Sequence, residues 1–134
     1  MDTRDLRTRS SGLKARILVV DDQPEVAHVV RAVLVQEGFE AETAVNGREA
    51  LDLLMSALHF DLIITDVRMP EMDGLELLRQ ARQMRKDLPV ILMTGHPTRR
   101  NRLDAMEKGA FDYVSKPFGI RVLLKAVHDA LQGK

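Results

Sequence analysis

Polar and charged side chains follow the apolar runs of this sequence at four places. Two aspartates follow ILVV, a third follows LIIT, a threonine follows VILM and a lysine follows YVS: Asp21, Asp22, Asp66, Thr94 and Lys116. If these side chains met, three carboxylates and one ammonium would leave a charge of about −2, and like charges at short range raise carboxylate pKa values. A divalent cation would relieve that repulsion, and the all-oxygen donor set favours Mg²⁺ over Ca²⁺ because few protein ligands leave room for waters and a phosphate. The pattern indicates phosphoryl-transfer chemistry with a carboxylate as nucleophile.

Each of these residues also has an ordinary structural explanation. Asp22 could cap the helix that Pro24 begins, and Lys116 could lie along the surface with its ammonium in water. The functional interpretation therefore requires the four strand ends to lie side by side.

Alternating strands and helices would place these residues. Short runs, apolar except for the alternating second one, predict five strands: Arg16–Val20, Glu40–Ala44, Leu62–Thr65, Val90–Met93 and Tyr113–Ser115. Apolar residues at helical spacing between and after the runs predict amphipathic helices. The clearest stripes are Val26, Val29, Val30, Val33 and Leu34; Leu51, Leu54, Met55 and Leu58; and Ile120, Leu123, Leu124, Val127 and Leu131. Gly38 and Gly109 are expected to end the first and fourth helices.

Five strand-then-helix units predict an α/β fold, a flavodoxin-like (βα)5 three-layer sandwich with a parallel five-stranded sheet. EAETA alternates in polarity like an edge strand, whereas LIIT and VILM are apolar enough to be central. The expected strand order is 2-1-3-4-5. In such sheets the ligand lies beyond the carboxyl ends of the strands, where the order reverses between strands 1 and 3.

Composition narrows the class of protein. The chain has 134 residues, 45% of them hydrophobic and 30% charged, which suits one globular domain. No apolar run approaches the roughly 20 residues that span a bilayer. The chain has no cysteine, which excludes disulfides and agrees with a cytoplasmic location. The charges balance, with a basic excess confined to residues 1–16, so no nucleic-acid-binding surface is predicted. We expect a disordered polar tail over residues 1–14 and one domain over 15–132.

Four segments, VVDDQPE, ITDVRMPEMDG, ILMTG and YVSKPF, resemble the signatures of the response regulator receiver domain of two-component signalling. They occur in the order and at the spacings of that CheY-like family, and the resemblance covers about residues 15–131. The variant MTGHPT is most similar to receivers of sigma-54 activators or hybrid histidine kinases.

The resemblance implies a role for each residue at the strand ends. Asp66 would be the phosphoacceptor, with Lys116 and Thr94 holding the phosphoryl oxygens and Lys116 holding the Asp66 carboxylate before phosphorylation. Tyr113 matches the aromatic residue that switches position, and Lys116–Pro117 matches the family's cis peptide bond. The ligands of Mg²⁺, with Mn²⁺ as a substitute, would be Asp21, Asp22, Asp66 and the backbone carbonyl of Arg68.

The same resemblance implies a phosphorylation-controlled signalling switch that is not a turnover enzyme. A histidine kinase or phosphotransfer protein would supply the phosphoryl group. The surface formed by the fourth helix, fifth strand and fifth helix would then change and regulate an output domain or effector protein, with homodimerisation on phosphorylation as a further expectation. No direct contact with nucleic acid or membrane is expected.

Three alternatives stay open at this point. An atypical receiver would have the same fold and act as a protein-interaction module without phosphate, although the complete acidic, threonine and lysine set argues against it. A flavin protein should have a Ser/Thr/Gly-rich phosphate loop after the first strand, where this chain has DDQPE. A haloacid-dehalogenase-type phosphatase should have its nucleophile there in a DxD pattern with cap insertions, and the adjacent aspartates and compact length of this chain argue against it. The four histidines show no metal-ligand spacing, and His28 and His128 are expected to be solvated.

Overall fold

The computed structural model describes residues 14–133, which form five strands that alternate with five helices. Residues 1–13, most of the predicted tail, lie outside the described residues. The bounds are β1 Arg16–Val20, α1 Pro24–Gln36, β2 Glu40–Ala44, α2 Gly47–Leu54, β3 Leu62–Asp66, α3 Gly74–Met84, β4 Val90–Thr94, α4 Arg99–Glu107, β5 Asp112–Ser115 and α5 Ile120–Gln132.

The five strands form one parallel sheet in the order β2-β1-β3-β4-β5, so the predicted fold and strand order are confirmed. The alternating strand β2 lies at an edge, as its polarity predicts. Val20 of β1 lies opposite Thr65 of β3, which in turn lies opposite Leu92 of β4. Thr94, two residues further along β4, lies opposite Ser115 of β5. The carboxyl ends of these four strands are therefore nearly level along one edge of the sheet.

Two apolar cores, one on each face of the sheet, hold the helices. Successive strand residues point to opposite faces, so Ile17 and Val19 pack with α1 and α5, whereas Leu18 and Val20 pack with α2, α3 and α4. This arrangement explains why the runs are apolar throughout rather than alternating. Within the described part of the chain, no helix has the length and apolar character needed to cross a bilayer.

The apolar stripe of α1 is narrower than the sequence predicts. Its buried residues are Ala27, Val30 and Leu34, whereas Val29 is 64% exposed. At about 100° per residue, Val29 lies roughly a third of a turn away from the centre of that stripe. The predicted place of Val29 in the buried stripe of α1 is therefore wrong.

Helix α2 is also shorter than its predicted stripe. The helix ends at Leu54, so Leu58 lies beyond it and Met55 is exposed. The Ser56 hydroxyl donates to the carbonyl of Leu53 at 2.6 Å and accepts from the N–H of Leu58 at 3.2 Å. A serine that bonds the last turn in this way competes with continuation of the helix.

Substitutions on α1 should separate its buried and exposed positions. Leu34→Ala should lower the free energy of unfolding by about 2–5 kcal/mol because it leaves a cavity in the core. Val29→Ala, five residues earlier on the same helix and exposed, should change it by less than about 0.5 kcal/mol. Urea denaturation followed by circular dichroism measures both, and equal effects would contradict the observed orientation of α1.

Candidate functional site

The residues that the sequence singled out lie at the level edge of the sheet. Asp66 and Thr94 are the last residues of β3 and β4, and Asp21 follows β1 directly. Lys116 follows β5, and its N–H donates to the Thr94 carbonyl at 2.6 Å, which continues the pairing of the two strands. The strand register alone therefore brings these side chains to one place.

Three carboxylates form a cluster there. Asp21, Asp22 and Asp66 each offer an oxygen, and these oxygens lie within 4.8 Å of one another. Asp21 is fully buried and Asp66 is 8% exposed, whereas Asp22 is exposed. The cluster therefore has a buried side formed by Asp21 and an open side formed by Asp22.

Lys116 lies between two of the carboxylates. Its Nζ is 2.7 Å from Asp21 Oδ2 and 3.5 Å from Asp66 Oδ1. The resemblance pointed to Asp66 as the partner of this lysine, but the shorter contact is with Asp21. The fully buried carboxylate gains most from a cationic partner because it has lost its contact with water. Lys116 nevertheless remains within reach of an oxygen on Asp66.

The charges at the site are only partly compensated. Burial raises the pKa of Asp66, and the neighbouring Asp21 and Asp22 raise it further, while Lys116 acts in the opposite direction. Three carboxylates and one ammonium leave about −2 if all are ionised. This oxygen-only, anionic set fits a hard divalent cation such as Mg²⁺, which Asp21, Asp22 and Asp66 could hold.

The turn between β1 and α1 shows what Asp21 and Asp22 do at the start of the helix. The Asp21 carboxylate accepts the N–H of Gln23 at 2.9 Å, which forms the turn before α1. Gln23 is the N-cap of α1 and makes no side-chain capping bond, while Pro24 occupies the first turn. Asp22 therefore does not cap α1, and the structural alternative considered for it is wrong.

Thr94 has a hydroxyl that is still able to donate. Its side chain is 3% exposed, and Oγ1 accepts the N–H of His96 at 3.0 Å. A hydroxyl that accepts one hydrogen bond keeps its own hydrogen available. Thr94 can therefore donate to an anion at the strand ends.

The loop after β3 packs directly on the backbone of Asp66. Gly74 donates its N–H to the Val67 carbonyl at 2.8 Å, and a Cβ at position 74 would lie 2.4 Å from the Asp66 carbonyl oxygen. The Thr65 hydroxyl donates to that same carbonyl at 3.0 Å. Sequence reasoning assigned no such role to Thr65 or Gly74. The signal for Gly74 was a glycine at the start of a helix that Asp73 already caps, where no turn requires one.

The remaining predicted residues lie nearby in the chain. Tyr113 is 6% exposed and packs in the core between the sheet and α2, α3 and α4. The Lys116–Pro117 peptide bond is cis, as the resemblance implied. The Arg68 side chain is exposed, and the role of its backbone carbonyl as a metal ligand stays a prediction.

One histidine differs from its predicted environment. His128, expected to be solvated, is half-buried, and its ring meets Phe39 edge-on with the ring centroids 6.0 Å apart. The contact arises because the loop after α1 brings Phe39 into the core that α5 covers. His28 is exposed, as expected.

Comparison with known proteins agrees with this geometry. The family model described as "Response regulator receiver domain" matches residues 17–128. The chain therefore belongs to the receiver domain family of two-component response regulators.

Three similar proteins illustrate the relationship. The Regulatory protein AtoC of Escherichia coli K12 is 43% identical over 117 residues, which cover 87% of this chain and 25% of AtoC. The Response regulator MprA of Mycolicibacterium vanbaalenii is 40% identical over 120 residues, which cover 90% of this chain and 52% of MprA. The solution structure of the beryllofluoride-activated NtrC4 receiver domain dimer superposes with a TM-score of 0.83 at 33% identity, covering 88% of this chain and 97% of that one. The chain thus spans from a quarter to about half the length of these two curated relatives.

A side chain at position 74 should disturb the site. Gly74→Ala should lower the free energy of unfolding by at least about 1–3 kcal/mol, because the new methyl group would overlap backbone rather than a flexible side chain. Gly95→Ala is the matched control, since nothing lies within 4 Å of its added Cβ and its φ is outside the left-handed region. It should be neutral or stabilising by about 0.4–1 kcal/mol. The midpoints of urea denaturation measure both effects. A Gly74→Ala variant as stable as the wild type would contradict the close approach of position 74 to the Asp66 backbone.

Asp66→Asn should stabilise the magnesium-free protein at neutral pH. The pKa of Asp66 is raised in the folded state, so between its ordinary and raised values the folded chain binds more protons than the unfolded chain. Stability from this group therefore falls as pH rises through that window. The difference between Asp66→Asn and wild type should shrink as pH falls below the ordinary aspartate range, where both states are protonated. Urea unfolding with a chelator present measures it, with the exposed Asp52→Asn as control, and a destabilised Asp66→Asn would contradict the electrostatic description.

Proposed function

We propose that this receiver domain is a phosphorylation-controlled switch that accepts a phosphoryl group on Asp66. The observation that carries the proposal is Lys116 Nζ placed between Asp21 and Asp66, beside a three-carboxylate cluster. Family membership supports the same function. The product would be an acyl phosphate. Its formation is supported because Asp66 lies within the cluster and has the Lys116 ammonium nearby for the new oxygens.

The transfer step needs few groups. One carboxylate oxygen of Asp66 forms a bond to phosphorus while the bond from phosphorus to the donor imidazole nitrogen breaks, and the electron pair stays on that nitrogen, which takes up a proton. Asp21, Asp22 and Asp66 would hold Mg²⁺, and the bound cation would neutralise charge on the phosphoryl oxygens. Lys116 and Thr94 hold those oxygens by charge and by the free hydroxyl hydrogen. Water later attacks phosphorus and releases inorganic phosphate, which resets the switch.

The phosphoryl group acts by biasing an equilibrium. The modification takes the charge at position 66 from −1 to about −2. Lys116 and Thr94, on adjacent strand ends, are drawn toward the new oxygens. Tyr113, three residues before Lys116, moves with them. The surface of α4, β5 and α5 changes as a result. The shift is limited by how differently the two arrangements hold the phosphoryl group.

Partners follow from this scheme. The donor is the phosphohistidine of a kinase or of a phosphotransfer protein, and the readout is an output domain or effector that contacts α4, β5 and α5. The relatives AtoC and MprA are regulators longer than this chain, which supports an output domain. The NtrC4 receiver was solved as an activated dimer, which supports homodimerisation on phosphorylation. Because each cycle modifies the domain itself, we class it as a switch rather than as a turnover enzyme. A cytoplasmic location is part of the same proposal.

An atypical receiver that never carries phosphate is the second candidate. The observation in its favour is that Lys116 makes its shorter contact with Asp21 rather than with Asp66. The two functions differ in a measurable way, because only the switch binds phosphoryl analogues at Asp66.

The decisive experiment is labelling with radioactive acetyl phosphate, together with beryllofluoride binding, in the presence and absence of Mg²⁺. Wild type should be labelled only with Mg²⁺, and Asp66→Asn should lose both labelling and beryllofluoride binding because it lacks the nucleophilic oxygen. Asp52→Asn, an exposed aspartate of α2, is the matched control and should behave like wild type. A wild-type protein that stays unlabelled with Mg²⁺ present would favour the atypical receiver.

A further inference from the structure

Helix α4 is held to the domain by few buried contacts. Its buried residue is Ala105, whereas Leu103 is 57% exposed and Met106 is 40% exposed. The charges of its first turn also oppose the helix dipole, because arginines lie there and no acidic residue does. The position of α4 therefore depends on contacts other than its own burial.

Arg102 provides such a contact. Its Nη1 donates to the main-chain carbonyl of Tyr113 at 2.8 Å, and its Nη2 lies 3.6 Å from Asp112 Oδ1. The same Oδ1 accepts the N–H of Tyr113 at 2.7 Å. One guanidinium thus joins α4 to both a side chain and the backbone of the edge strand β5.

The segment that Arg102 contacts continues directly into the proposed phosphoryl site. Tyr113 packs in the same core as Ala105 of α4. Three residues further along, Lys116 reaches Asp21 and Asp66 with its ammonium, and its N–H is bonded to the Thr94 carbonyl. A displacement of this segment at the site would therefore be felt at the carbonyl that Arg102 holds.

We propose that Arg102 is a positioning residue that acts through the backbone of Tyr113 and couples the orientation of α4 to β5. The inference rests on the proposed function for its regulatory meaning, since β5 leads to the phosphoryl site. Arg102 then transmits the state of Asp66 to α4 without touching the phosphoryl group.

The guanidinium is specifically suited to this role. One of its nitrogens donates to Tyr113 O while a second lies at ion-pair distance from Asp112 Oδ1. A lysine has a single nitrogen and would keep at most part of the contact. The side chain of Arg100, on the same helix and exposed, makes no hydrogen bond or ion pair with the described residues. It is the matched control for loss of one arginine from α4.

The first test uses phosphoryl-free protein. Amide hydrogen exchange over residues 99–107 should be about fivefold faster in Arg102→Gln, because a charge-assisted hydrogen bond at a half-exposed site is lost. It should be intermediate in Arg102→Lys and unchanged or slower in Arg100→Gln. Tyr113 is the chain's one tyrosine and there is no tryptophan, so 3-fluorotyrosine gives a single fluorine resonance. That resonance should move in Arg102→Gln and stay in place in Arg100→Gln.

The second test adds beryllofluoride with Mg²⁺. In wild type, the fluorine resonance and the exchange rate of α4 should change together. In Arg102→Gln the resonance should still respond, while exchange over α4 should respond by less than about half as much. An α4 that follows the ligand as in wild type, or a phosphoryl-free Arg102→Gln identical to wild type in both readouts, would overturn the proposal. If neither readout of the wild type changed on addition of beryllofluoride, the phosphorylation function would be contradicted instead. The measurements on phosphoryl-free protein would still decide whether Arg102 positions α4.

Discussion

The ion pair between Lys116 and Asp21 is the interaction on which the site depends. Level strand ends force three carboxylates together, and Asp21 is fully buried among them. Without a cation at 2.7 Å, that carboxylate would be charged and unpaired in the interior, which is strongly unfavourable. The lysine therefore makes the crowded arrangement compatible with a folded domain, and the remaining negative charge suits the cluster to a divalent cation.

The two apolar cores allow this local repulsion to persist. Three strands that end at the site, β1, β3 and β4, are buried on both faces. Strong packing on either side holds their ends in register, so the backbone at Asp21 and Asp66 cannot move apart without disrupting the sheet. Functional sites commonly retain unfavourable local features that the surrounding structure offsets, and here the offset comes from residues that never contact the site.

The sequence predicted the sheet and the residues at its edge because both follow from local patterns. Apolar runs identify strands, and parallel order then brings Asp66, Thr94 and Lys116 together. Contacts set by three-dimensional approach were not predictable in this way. Nothing local marks Arg102 as bonded to Tyr113, or Lys116 as closer to Asp21 than to Asp66, and Val29 could be assigned to a helix face only once the centre of the stripe was known.

The unequal burial of the aspartates also determines a direction of access. Asp21 closes the interior side of the cluster, and Gly74 brings the β3–α3 loop onto the backbone of Asp66, whereas Asp22 faces water. For the proposed function, ions and phosphodonors would therefore approach from the Asp22 side and leave by the same route, without unfolding of any helix. Exchange through this open side would then be rapid even though Asp66 itself is almost completely enclosed.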